Sequence, residues 1–311
     1  MVPKPRGALS ASVFTALQSG TTKNLESAPE SEEDSQIALW ALYELHYRGF
    51  DEVEAELEWD PDLLRLRRDL ERPFEAELRR RWERSAFRDD PELELTGLID
   101  GYDGPSLARF VQREADREQV LELLRHRSLY HLKEADPTSW VIPRLSTRPK
   151  AALMEIQFDE YGGGDPNRLH HHLFRRGMEA TGLRTEDAAY VDEAPVEILA
   201  MNNALSLFGL HRRLRGAALG HFATFESTSS VPARQLAQGL RRLDLPDEMA
   251  TYYDEHVEAD SVHEQIAVRD LCGSFLDDEP SERDQVFLGA FTSLDLEARY
   301  ARRLLTRWGV S

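Results

Sequence analysis

The sequence predicts an all-α protein whose helices pack into one bundle. Apolar residues recur at helical spacing along most of the 311 residues, and no segment shows a persuasive series of alternating β-branched residues. Short stretches rich in Gly, Pro and Ser separate the helical segments. The 41% of apolar residues is enough for a sizeable core. Helices that each bury one face can present side chains into a shared interior.

The first segment differs from the rest of the chain. Residues 1–33 combine Ser, Pro, Gly, Thr and acidic residues without a sustained apolar period. We interpret this segment as a flexible leader and residues 34–311 as the folded domain.

Predicted helices follow in order along the domain. In the first, Trp40, Tyr43 and Tyr47 recur at spacings of three and four, which favours core packing over a role in lining a substrate cavity. Residues 61–82 are charged with recurring Leu and Phe, and residues 103–136 predict one or two more helices. Further helices are predicted at 147–161, 166–181, 192–214, 215–227, 231–242, 246–273 and 281–308.

Composition and charge exclude several classes of partner. The formal net charge of -19 argues against nucleic acid, because binding to phosphates requires clustered Lys and Arg. No run approaches the roughly 18 apolar residues of a membrane span. The N-terminus lacks a continuous apolar signal segment, so we expect a cytoplasmic protein.

Cys272 is the only cysteine, so the chain cannot form an intrachain disulfide or a thiolate metal cage. We interpret it as a small buried apolar group. Any metal must therefore be held by His, Asp and Glu, which favours iron, manganese or zinc.

Several catalytic motifs are missing. The sequence contains no GxSxG, Walker loop or HExxH motif, and its GGG segment lacks the spacing of a dinucleotide-binding loop. No histidine has a Glu three residues before it, which disfavours the ExxH ligand pattern of ferritin-type di-iron bundles.

A candidate metal-binding face lies in residues 254–267, DEHVEADSVHEQIA, where His256, Asp260 and His263 stand at intervals of four and three. At about 100° per residue, steps of four and seven return to within roughly 40° of the start, so these side chains share one helix face. The alternative is a charged, solvated face in an acidic protein. The segment alone does not decide between the two.

A second candidate pair lies ten residues apart. Glu160 ends one predicted helix and His170 lies on the next, with Gly162 to Gly164 between them. A glycine break lets two helices meet at an angle, so both side chains can face one point. The histidines at 170–172 are consecutive and cannot all point inward, and a polar helix start is the alternative interpretation.

Two isolated acids complete the candidate set. Glu226 follows the apolar segment LGHFATF, where a carboxylate must be exposed, paired or metal-bound. Glu134 follows LYHL, with His131 one helical turn earlier. Each acid taken alone is more typical of a surface or of a helix end.

Together these residues resemble the haem-oxygenase-like di-iron oxidases and oxygenases, which are iron-containing redox enzymes. The resemblance covers nearly the whole chain after the leader and is most specific in HLKEADPTSWVIPRL, DEYGGGDPNRLH, GHFATFESTSS and EHVEADSVHEQIA. It implies a bundle of about seven core helices that holds two iron ions and no haem. The metal ligands that it implies are Glu134, Glu160, His170, Glu226, His256, Asp260 and His263.

The resemblance also implies how the ligands are divided. One iron would take Glu134, His170 and His263, the other Glu226, His256 and Asp260, and Glu160 would bridge the two. No catalytic residue beyond these ligands is expected.

The activity that follows from the resemblance is oxidation of a small molecule by dioxygen at the iron pair. The expected substrate is a small amine or amino-acid-like molecule, which would undergo N-oxygenation or C–C cleavage. Fatty-acid or aromatic substrates, and a metal-independent thiaminase-like or binding bundle, are the alternatives. The chain lacks an iron–sulfur centre of its own, so we expect an external reductant such as a ferredoxin-like donor. The sequence leaves the oligomeric state open, and a homodimer is one of the alternatives.

Overall fold

The structure is a computed structural model that describes residues 1–23, 25, 28–82 and 90–310, without the side chains of residues 258–262. Within these ranges the regular elements are helices and no β-strand occurs, which confirms the all-α prediction. None of the helices in this part of the chain is both long and apolar enough to cross a membrane.

The α-helices are numbered in chain order. They are α1 (Ala8–Ser19), α2 (Glu32–Glu44), α3 (Pro61–Arg81), α4 (Pro91–Asp100), α5 (Leu107–Arg113), α6 (Arg117–His131), α7 (Asp136–Ser139), α8 (Thr147–Glu160), α9 (His170–Ala180), α10 (Val196–Leu210), α11 (Arg215–Arg242), α12 (Asp247–Gln265), α13 (Ser274–Asp278) and α14 (Arg283–Arg307). A π-helix, Ile266–Gly273, joins α12 to α13. Short 3₁₀ helices lie at Ala55–Trp59, Ile142–Arg144, Gly162–Gly164, Val191–Glu193, Arg212–Leu214 and Pro280–Glu282.

Helix α1 lies inside the segment predicted as a flexible leader, and that prediction is wrong over residues 8–19. Leu9, Val13 and Leu17 recur every four residues, and all three are buried. The carboxylate of Asp34 accepts hydrogen bonds from the backbone N–H groups of Leu9 and Ser10, at 3.2 and 2.8 Å. The first turn of α1 is therefore capped by a residue from α2, a contact between distant positions that local composition does not reveal.

Helix α11 is continuous, although the sequence predicts a break within it. Pro232 lies inside the helix and removes one backbone donor. The hydroxyls of Ser227 and Thr228 donate to the carbonyl oxygens of Ala223 and Thr224 at 2.8 Å each. Hydrogen bonds of this type are compatible with a helix and tend to bend it. The small polar residues that suggested a loop thus form part of the helix.

Two smaller sequence predictions are confirmed. Trp40 and Tyr43 on α2 are buried in the apolar core. Cys272 is buried as well, and burial raises the pKa of its thiol to about 12. The thiol therefore stays protonated and behaves as an apolar group.

Helix α11 occupies the centre of the bundle, where it packs against α5, α12 and α14. Its crossing with α14 is unusually close. A Cβ atom at Gly220 would lie 1.8 Å from the carbonyl oxygen of Val286, and one at Gly289 would lie 1.9 Å from that of Ala217. Only glycine fits at such distances, so this crossing fixes the position of the helix that carries Glu226.

Replacing Gly220 by Ala should therefore force α11 and α14 apart. We expect Gly220→Ala to lower the free energy of unfolding by about 1–3 kcal/mol or more, measured by urea unfolding followed by circular dichroism. The control is Gly97→Ala on α4, where an added Cβ meets nothing within 4 Å. That change should raise stability by about 0.5–1 kcal/mol, because alanine favours the helix. Equal effects at the two positions would contradict the close crossing.

Candidate metal centre

Buried Glu and His side chains form two overlapping groups in the interior of the bundle. The first group is Glu134, Glu160, His170 and His256, and the second is Glu160, Glu226 and His263. In each group, one ligand atom per residue lies within 4.8 Å of those of the other members. Glu160 belongs to both groups, so the two candidate metal positions share one carboxylate.

The turn between α8 and α9 places Glu160 beside His170. Gly162, Gly163 and Gly164 have φ angles of 71°, 63° and 88° in the left-handed region, which glycine adopts without strain. A Cβ at Gly162 would also lie 2.7 Å from the backbone nitrogen of Leu169. The resulting reversal brings Nδ1 of His170 to 3.1 Å from Oε2 of Glu160.

Helix α12 contributes His256 to the first group and His263 to the second. The two histidines lie seven residues apart and therefore face the same side of the helix, one about two turns above the other. The Nδ1 atom of His256 lies 2.9 Å from the carbonyl oxygen of Tyr252. Its Nε2 atom lies 3.4 Å from Oε1 of Glu134, so this nitrogen faces the other members of the first group.

Glu134, in the turn after α6, is held by two side chains. The hydroxyl of Tyr252 lies 2.9 Å from each carboxylate oxygen of Glu134, and Nδ1 of His131 lies 3.1 Å from Oε1. Burial would raise the pKa of Glu134, but His131 and His256 hold it well below its usual range. The carboxylate is therefore ionised and fixed in orientation, as a metal ligand must be.

His263 connects two carboxylates of the second position. Its Nδ1 atom lies 3.2 Å from Oε2 of Glu226, and its Nε2 atom lies 3.1 Å from Oδ2 of Asp159. Burial alone would lower the pKa of His263, but the contacts with Glu226 and Asp159 raise it to about 9. The imidazole therefore takes up a proton at neutral pH, which reflects the excess of negative charge around it.

The structure thus brings together six of the seven predicted ligands. Asp260 lies on α12, but its side chain is outside the described residues. The division between the two positions differs from the one expected. His256, rather than His263, joins Glu134 and His170, because Glu134 stands opposite the first half of α12 and Glu226 opposite the second.

Sequence reasoning missed two contacts of these ligands, Tyr252 and Asp159. Tyr252 lies four residues before His256 and so shares its helix face, a spacing that could have indicated it. Asp159 directly precedes Glu160, and no local pattern distinguishes it from the other acids of α8.

The donor set fits iron. Carboxylates and imidazoles are the ligands of non-haem iron sites. Glu134, Glu160 and Glu226 are only 5%, 6% and 4% exposed, and burying three carboxylates together is costly unless cations compensate them. Two divalent ions would do so. Nδ1 of His170, although close to Glu160, forms no hydrogen bond with any described residue, so this nitrogen is available to a metal.

A cavity of about 390 Å³ reaches the first ligand group, since Glu134 and His256 form part of its wall. Much of the remaining wall is apolar, with contributions from α6, α10, α11 and α14 such as Leu123, Met201, Phe225 and Leu294. The volume falls within the range of about 300–1,000 Å³ that small-molecule sites occupy. The cavity can therefore bring a small organic molecule to the ligand group.

The chain matches the sequence model of a known protein family. The sequence model of the family described as iron-containing redox enzyme matches residues 121–298, more than half of the 311 residues. The matched segment contains all seven predicted ligand positions. Among curated proteins the comparison found no match.

Replacing Tyr252 by Phe should weaken iron binding, because it removes the hydroxyl that holds Glu134. Loss of a group that orients a metal ligand typically lowers the affinity for the metal by about 10- to 100-fold. We expect Tyr252→Phe to lower the affinity for ferrous iron by about 10- to 100-fold in an anaerobic titration against a competing chelator.

The control for this prediction is Tyr190→Phe. It also removes a buried tyrosine hydroxyl, one that accepts a hydrogen bond from the backbone N–H of Arg184 at 2.7 Å. It should leave iron affinity unchanged. The same affinity in Tyr252→Phe and in the unaltered protein would show that this hydroxyl does not position Glu134.

Proposed function

The chain belongs to the iron-containing redox enzymes with the haem-oxygenase-like fold, and from this we propose that it is a non-haem di-iron oxidoreductase that uses dioxygen to oxidise a small organic molecule. The observation that carries the proposal is the shared carboxylate of Glu160. A carboxylate common to two ligand groups suits a pair of metal ions better than a single ion.

The ligands of the two positions come from different parts of the fold. Glu134, His170 and His256 would hold one iron, Glu226 and His263 the other, and Glu160 would contact both. When bound in the ferrous state, two irons supply two electrons to dioxygen. Among the side chains that the structure describes, the two groups offer four and three protein ligands, so irons held there would have positions for dioxygen and substrate.

The surrounding side chains contribute orientation and exclusion of water. Tyr252 and His131 fix the direction of the Glu134 carboxylate. Burial lowers the pKa of His131, so its imidazole is neutral at physiological pH and can accept or donate a hydrogen bond at Nδ1. The largely apolar wall of the cavity disfavours ordered water on the side of the site where the substrate would bind.

For the substrate we propose a small amine, oxygenated at nitrogen or cleaved at a carbon–carbon bond. The family resemblance supports this choice, and the position of the cavity against Glu134 and His256 is compatible with it. A metal-independent bundle would have no need for six buried Glu and His ligand side chains, which disfavours that alternative. The donor of electrons would be an external ferredoxin-like protein, because the single cysteine cannot hold an iron–sulfur cluster.

The proposal is tested by reconstituting the purified chain anaerobically with ferrous iron. We expect about two iron ions per chain, a transient visible absorption after oxygen is added, and oxygen consumption in the presence of a chemical reductant. We also expect iron to raise the midpoint of thermal unfolding, because a ligand that binds only the folded state stabilises it. Binding of one iron or fewer, without oxygen consumption, would rule the proposal out.

Variants of the two groups should lose different amounts of iron. Glu160→Ala removes the shared ligand and should reduce binding at both positions, so that less than one iron per chain is retained. Glu226→Ala affects only the second group and should leave about one iron. The control is Glu155→Ala, an exposed acid on α8, which should bind as much iron as the unaltered protein.

Elemental analysis after gel filtration measures these contents. Equal losses in Glu160→Ala and Glu226→Ala would contradict the shared position of Glu160.

A further inference from the structure

Three residues of the cavity wall carry buried polar atoms that have no hydrogen-bond partner in the described part of the chain. These atoms are Oδ1 of Asn202, Nδ1 of His221 and the hydroxyl of Tyr253. The three residues are 3%, 6% and 5% exposed and lie on α10, α11 and α12. Proteins pair the large majority of their buried polar side-chain atoms, so three unpaired atoms on residues of one cavity wall indicate a missing partner. The three atoms lie beneath the surface of the cavity, so a ligand contacts them once these side chains turn toward it.

These atoms offer hydrogen bonds but no charge. Oδ1 of Asn202 accepts, while its amide nitrogen is already bound to the carbonyl oxygen of Ile198 at 2.9 Å. The hydroxyl of Tyr253 can donate or accept. Burial lowers the pKa of His221 to about 4, so its imidazole is neutral at physiological pH. A neutral polar group of a ligand could satisfy all three.

The charged side chains of the wall are already compensated. Among the described residues that line the cavity, they are Arg127, Glu297 and Glu134. The guanidinium of Arg127 donates two hydrogen bonds to the carboxylate of Glu297, one of them at 2.9 Å. Glu134 belongs to the candidate metal centre. His126 is neutral, since burial lowers its pKa to about 4. A carboxylate or ammonium group away from the metal centre would therefore find no free counter-charge on this wall.

We propose that the cavity binds a substrate whose unreacting part is uncharged and mainly apolar and carries a polar group such as a carboxamide or hydroxyl, and that Asn202, His221 and Tyr253 turn toward this group and hydrogen-bond to it. The inference rests on the proposed function, because it names the class of molecule that the di-iron site would oxidise. Within the amine substrates proposed above, it favours an apolar amine with a neutral polar group. A zwitterionic amino acid would leave buried charge uncompensated in this cavity.

The first test uses octanamide as the neutral probe and octanoate as a charged probe of the same length. Both are titrated calorimetrically into the full-length chain freed of metal by a chelator. We expect octanamide to bind at least about 10-fold more tightly than octanoate, because the carboxylate finds no cation to replace its water. Equal affinities, or tighter binding of octanoate, would overturn the inference.

The second test removes one hydroxyl. Tyr253→Phe should weaken octanamide binding about 3- to 10-fold, the usual worth of one hydrogen bond. It should also raise the midpoint of thermal unfolding of the protein without ligand, because an unpaired buried hydroxyl is destabilising. The control, Tyr190→Phe, removes a paired hydroxyl and should lower the unfolding midpoint while leaving octanamide binding unchanged.

The third test leaves the guanidinium of Arg127 without its carboxylate partner. Glu297→Gln removes the carboxylate that pairs with this guanidinium, so octanoate should bind about 10-fold more tightly than to the unaltered chain, and octanamide should bind as before. No gain for octanoate, or no loss of octanamide binding in Tyr253→Phe, would contradict the assignment of this wall.

These measurements are independent of iron. A chain that binds octanamide as expected but takes up no iron would retain the cavity assignment and refute the di-iron function. A chain that takes up iron but does not distinguish the two probes would retain the di-iron function and refute the cavity assignment.

Discussion

The central constraint on this bundle is the negative charge buried where its helices meet. Glu134, Glu160 and Glu226 come from three separate elements, and each has an imidazole nitrogen at 3.1–3.2 Å, from His131, His170 and His263 respectively. Removing one of these imidazoles would raise the free-energy cost of burying the carboxylate beside it. The contact between Glu160 and His170 connects α8 with α9, and the contact between Glu226 and His263 connects α11 with α12. These two contacts therefore help to hold the helices in position.

The same buried negative charge would favour a metal ion at the candidate centre. Ligands drawn from separate elements converge only when the chain is folded, so free energy of metal binding is also free energy of folding. The raised pKa of His263, about 9, shows that a positive charge is already favoured there. A divalent ion would supply two positive charges on a single atom.

Some of the candidate ligands could be found in the sequence because their approach depends on local geometry, whereas Glu134 and Glu226 are implied as ligands only by the family resemblance. His256 and His263 share a face through helix periodicity, and Glu160 meets His170 through a turn that consecutive glycines permit. The division of ligands between the two groups could not be found in this way. It depends on which half of α12 faces Glu134 and which faces Glu226, and hence on packing between distant segments.

The same distinction accounts for the errors in the fold. The sequence predicts a flexible leader where α1 lies, because the residue that caps this helix, Asp34, is on α2.

The break expected within α11 reflected residues that favour turns in isolation. In the folded chain the hydroxyls of Ser227 and Thr228 bind carbonyl oxygens of the preceding turn, and the helix passes through Pro232.

The continuity of α11 also determines the shape of the cavity. Phe225, Thr228 and Pro232 all line it, so a break at this point would have removed the wall that faces the first ligand group. One helix thus places Glu226 in the second ligand group and forms the cavity wall beside the first, so the geometry of both candidate features depends on the continuity of α11.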